Sequence, residues 1–125
     1  MRAHRALLVV AGSTALAVGG GLLAAPISFR QSVGVALSRS ASVLSETRAP
    51  GAALLAAGAV MLAGAASPAR ARLALGASAL VYLSFGAGRL VSIALDGLPH
   101  TSLLVAMAVE LVLGVVSLRA LRAEP

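Results

Sequence analysis

The stretch LALGASALVYLSFGAGRLVSIAL, Leu73 to Leu95, is followed directly by Asp96-Gly97-Leu98-Pro99. Its 23 residues carry one charge, Arg89, and a helix of that length reaches about 34 Å at 1.5 Å per residue, enough to cross a bilayer core. Asp-Gly-x-Pro then stops the helix, because glycine permits the turn and proline cannot continue a helix. Three further apolar runs flank it: about Ala6 to Ala25, Pro50 to Ala66 and Thr101 to Leu118. The expected fold is all-α: one integral membrane domain over residues 1–125, built as a four-transmembrane-helix bundle.

Composition supports this reading. Hydrophobic residues are 59% of the chain and charged residues 11%, against roughly a quarter charged in soluble domains. The net charge of +6 comes entirely from Arg, and most of those Arg residues sit in pairs at the ends of apolar runs, where they meet headgroups. A nucleic-acid binder would gather them on a polar face with aromatics between, so no nucleic-acid partner is expected. The absence of Cys excludes disulfides, thiolate metal sites and thiol catalysis. No phosphate loop, Ser–His–Asp set or metal-spaced His pair is present, so neither a metal nor another cofactor is expected, and no enzymatic activity.

The first run admits a second reading as a signal peptide, with Arg2 and Arg5 ahead of it and an Ala-rich end. Its length and the lack of a clean Ala-x-Ala favour a retained helix. Between the first two runs, Phe29, Val33, Leu37 and Leu44 fall on one helical face, consistent with a short interfacial helix; an extended Ser-rich loop is the competing reading. The short basic connectors place Arg2, Arg5, Arg70, Arg72, Arg119 and Arg122 on one side, so both termini are expected to be cytoplasmic in a multi-pass cell-membrane protein.

Charge at membrane depth costs roughly 2.5–3.5 kcal/mol on insertion scales, so the ionisable residues mark the candidate site. Arg89 lies about 10 Å below the Asp96 boundary and Glu110 about 13 Å below Thr101, by helix rise. The two reach similar depth on neighbouring helices, and pairing would offset the desolvation of both. Arg89, Ser92 and Asp96 share a face. Glu46 and Arg48, expected at the mouth of the second helix, lie on the same side of the membrane. The candidate cluster is therefore Glu46, Arg48, Arg89, Ser92, Asp96 and Glu110, read either as an ion-pair network fixing helix register or as a small-ligand or proton-binding pocket. Tyr82 is expected to pack and His100 to sit in a solvated turn. Small residues at four-residue spacing (Ala11, Ala15 and Gly19; Ala52 and Ala56; Ala59 and Ala63) point to close helix packing.

Glu46-Thr47-Arg48-Ala49-Pro50-Gly51, Gly88-Arg89-Leu90-Val91-Ser92-Ile93-Ala94-Leu95-Asp96-Gly97-Leu98-Pro99 and Glu110 together resemble the DUF4345 family of small bacterial membrane proteins. The resemblance covers most of the chain; one departure is Pro50, in place of a freer helix start. It implies four helices, a bacterial inner-membrane location and a role for Glu46, Arg89, Asp96 and Glu110, but no activity. The expected function is to bind a small molecule at the outward-facing polar cluster or to support a membrane complex, with the bilayer, a second copy or a partner subunit as partners. The alternative is a proton-coupled exporter using Glu110, although exporters of this size resemble chains with an acid in the first helix and an aromatic pocket. A quinone-linked subunit or membrane enzyme lacks the necessary side chains.

Overall fold

A computed structural model describes residues 2–124. Five helices occur in the order α1 (Arg2–Ala24), α2 (Pro26–Ser32), α3 (Ala41–Ala66), α4 (Pro68–Asp96) and α5 (Thr101–Ala123). The described residues contain no strand. All but α2 are long and apolar enough to cross a membrane, which is the make-up of an integral membrane protein. In the bundle α1 lies chiefly on α3, α3 on α4, and α4 on α5, while α1 also touches α4 and α5 more narrowly.

The α1–α3 interface is made by glycines. A methyl group at Gly19 would lie 2.5 Å from the Leu55 nitrogen and 2.6 Å from the Gly51 carbonyl oxygen; one at Gly58 would lie 2.8 Å from the Gly12 carbonyl oxygen. Gly12 and Gly19 are thus matched antiparallel to Gly58 and Gly51, each pair two helical turns apart. Close backbone approach is how helices associate where lipid removes the hydrophobic drive between them. Ala11, Ala15 and Gly19 are all buried, as close packing predicts, with Gly19 the member that meets α3. On α3 the stripe is different: Ala52, Ala56 and Ala59 are exposed, and the inner face is Thr47, Gly51, Leu54, Gly58, Met61 and Gly64. Alanine is too common in this chain for its spacing alone to identify the packed face.

The second spanning helix begins at Ala41, nine residues before the expected start at Pro50. Ser40 sets the start, its hydroxyl accepting from the Val43 N–H at 3.3 Å, and Pro50 stands inside the helix. The expected interfacial helix exists as α2, but it ends at Ser32. Gly34 (φ +83°) then turns the chain, so Leu37 and Leu44 do not extend its apolar face. Pro26 opens α2 at a position where no amide donor is required.

Two arginines close helix ends. Arg48 donates to the Leu23 carbonyl at the end of α1, and Arg72 donates to the Leu121 and Glu124 carbonyls at the end of α5, at 3.5 and 3.2 Å. Both satisfy acceptors that a helix terminus leaves open. At that same end, His4 Nδ1 stands 2.7 Å from Glu124 Oε1. Leu80, Leu90, Leu95, Val105 and Val112 of α4 and α5 are exposed, as side chains facing lipid are, while Leu75 and Leu113 turn inward to the core.

Candidate functional site

The turn between α4 and α5 builds the site. Gly97 (φ +92°) ends α4, its N–H donating to the Ile93 carbonyl at 3.1 Å, and His100 opens α5 by accepting from the Ser102 N–H at 3.2 Å. This tight return makes α4 and α5 antiparallel neighbours. Gly86 admits Leu111, whose Cδ2 would be 2.5 Å from any added methyl, and Gly114 admits Leu83 at 2.7 Å. These two close approaches hold the helices together just inward of Arg89 and Glu110, Gly86 three residues before the one and Gly114 four residues after the other, on the same helix faces.

One turn outward of them, toward the Gly97 turn, the guanidinium of Arg89 forks onto the carboxylate of Glu110. Nε donates to Oε2 at 2.7 Å and Nη2 to Oε1 at 2.9 Å. The geometry is bidentate, the strongest arrangement for this pair. The side chains retain 27% and 13% of their surface, so the pair sits at the wall of a cavity instead of in a sealed core. Deeper along the same interface, Ser78 and Ser117 share a buried hydrogen bond of 2.7 Å.

The cavity has a volume of about 140 Å³ and lies between α1, α2, α4 and α5, with Leu54 of α3 at its side. Tyr82 closes its floor: it is buried, and its hydroxyl donates to the Ala11 carbonyl on α1. That carbonyl already serves the α1 ladder, so Tyr82→Phe should cost only about 0.5–1.5 kcal/mol, the net worth of one hydrogen bond, and should leave the Arg89–Glu110 pair intact. Unfolding in mixed micelles measures this; a loss above about 3 kcal/mol would mean that the hydroxyl supports more than one carbonyl.

α2 covers the cavity with Phe29 and Arg30, and Val33 just past its end completes the cover. It is tied down at both ends. A methyl at Gly21 would run into the Phe29 ring, and Ser102 Oγ of α5 donates to the Val33 carbonyl at 2.6 Å. His100 packs its ring against Gly34, with 2.7 Å left for an added methyl; the expected solvated turn residue is exposed but also holds the end of the cover.

Of the six candidate residues, Arg89 and Glu110 meet and line the cavity, and the other four do not line it. Ser92 donates to Asp96 Oδ2 at 3.2 Å on the exposed face of the α4 end. Glu46 lies in the second turn of α3, not at its start, and is exposed, so the helix N-terminus that was to favour it lies a turn away. Its neighbour Thr47 is the inward residue of that segment, with Oγ1 donating to the Val43 carbonyl at 2.8 Å, while Arg48 closes α1. The residue that the sequence reading left out is Arg30. It lines the same cavity as Arg89, and burial, then the nearby Arg89 charge, lowers its pKa from the usual arginine value. A charge in the segment already read as an amphipathic interfacial helix was the available signal.

Among the described residues no three His, Cys, Asp or Glu side chains gather into a metal-binding group. No curated protein and no solved structure matches the chain. A family model described as "Domain of unknown function (DUF4345)" matches residues 3–121. With nearly its whole length matched, including all four long helices and both members of the ion pair, the chain belongs to the DUF4345 family.

Proposed function

We propose that this protein is a multi-pass membrane protein that binds a small molecule in the cavity beneath α2, with Arg89 and Glu110 as the fixed polar wall. One observation supports this above the purely structural reading. A bidentate ion pair that served only helix register would be sealed among packed side chains, whereas this one borders an open cavity of about 140 Å³. The Arg distribution favours both termini on the cytoplasmic side, so that the cavity opens toward the outer half of the membrane. Support of a larger membrane complex stays compatible with the same site. Export driven by Glu110 fits less well, because both oxygens of that carboxylate are already engaged by Arg89.

Native mass spectrometry of protein released gently from membranes tests the proposal. The expected result is a retained small molecule that is lost in Val18→Phe, where a ring from α1 fills the cavity. Bare protein in both samples, or an adduct unaffected by the filled cavity, would contradict it.

A further inference from the structure

The cavity wall carries three charged side chains, Arg30, Arg89 and Glu110. Glu110 is committed to Arg89 through both oxygens. Arg30 has no carboxylate within ion-pair distance among the described residues, and guanidinium stays protonated in proteins. The wall therefore has an excess of one positive charge, half-buried under α2.

The rest of the lining demands nothing polar. Thr14 Oγ1 donates to the Val10 carbonyl at 2.8 Å, and the Tyr82 hydroxyl is spent on Ala11. Val18, Phe29, Leu54, Val81, Phe85 and Val109 supply apolar surface. A cavity near this volume with an apolar lining holds a benzene-sized body. Charge at one place and oil elsewhere define an amphiphile of one polarity.

We infer that the cavity takes a small monoanion with a benzene-sized apolar body, such as an aromatic carboxylate, its acid group held by Arg30 under α2. This rests on the binding reading above and adds the ligand class and its anchoring residue. Neutral polar solutes would leave the apolar wall uncovered, and organic cations would face the unmatched guanidinium.

Fluorine NMR on the full chain in phosphatidylcholine nanodiscs tests this, with 4-fluorobenzoate, fluorobenzene and 4-fluorobenzylamine as probes. Saturable 4-fluorobenzoate binding is expected, weakened at least about tenfold in Arg30→Gln, as loss of a charge-assisted contact implies. Arg30→Lys should recover part of it. Val18→Phe should abolish it, with size-exclusion profile and helical content showing all three variants folded. Equal 4-fluorobenzoate binding by Arg30→Gln, or preference for the amine, would overturn the anionic assignment while saturable fluorobenzene binding kept the cavity reading alive. Loss of 4-fluorobenzoate binding in nanodiscs containing phosphatidylglycerol would assign Arg30 to a lipid headgroup and overturn the inference. No saturable binding of any probe would overturn both readings.

Discussion

Arg89→Ala is expected to destabilise the bundle by about 3–5 kcal/mol, the cost of leaving one member of a buried pair uncompensated. The abandoned Glu110 carboxylate retains only 13% of its surface, so it has little water to turn to and the α4–α5 interface must reorganise around it. Glu110→Gln should be milder than Arg89→Ala, because the amide oxygen still accepts one of the two guanidinium bonds. The double replacement Arg89→Leu/Glu110→Leu should recover most of the loss, since apolar residues of similar volume often replace an ion pair without cost. Unfolding by SDS titration of the detergent-solubilised protein gives all three values. If Arg89→Ala and the double variant are equally unstable, the cost lies in lost packing and not in an orphaned charge.

Gly19→Leu carries the second large effect. The atoms that an added side chain meets at Gly19 are the Leu55 nitrogen at 2.5 Å and the Gly51 carbonyl at 2.6 Å. Backbone cannot rotate aside as a side chain does, so α1 has to move off α3 along the most extensive interface of the bundle. Overpacking costs typically about 1–3 kcal/mol and occasionally more, and this site belongs at or above the top of that range. Gly20 is the matched control one residue away, where an added methyl meets nothing within 4 Å. Gly20→Ala should be neutral or gain up to about 1 kcal/mol from helix propensity. Melting of the two variants side by side in detergent reads the difference; similar melting would show that α1 and α3 are not in backbone contact.

The α4–α5 hairpin was legible in the sequence because two independent signals agree there. Hydropathy gives two spans, and Asp96-Gly97-Leu98-Pro99 fixes a short antiparallel return, so depth along each helix follows from residue number. Matching Arg89 with Glu110 needs no more than that arithmetic. The start of α3 was hidden by Pro50, a usual first-turn residue that here sits inside a helix already begun by the Ser40 cap. With the start misplaced, Glu46 was assigned to a helix terminus and Arg48 to the site. Arg48 instead reaches a carbonyl of α1, which only the tertiary arrangement reveals. The role of α2 was equally hidden: periodicity marks its apolar face, but the fold of Gly34 against His100 decides that this face covers the cavity and brings Arg30 beside Arg89. Long-range placement of a seven-residue helix leaves no trace in local spacing.

The account stands on the contact between Arg89 and Glu110, and a distance measured in the membrane tests it most directly. Rotational-echo solid-state NMR on protein in lipid bilayers, with ¹⁵N in Arg and ¹³C in the Glu carboxylate, detects that contact selectively, because among the described residues no other arginine is ion-paired with a glutamate. A hydrogen-bonded fork predicts a nitrogen-to-carboxyl-carbon separation below about 4 Å, with the signal lost in Glu110→Gln. Dephasing that corresponds to more than about 6 Å, beyond any direct hydrogen bond, or a short distance that survives Glu110→Gln, would contradict it.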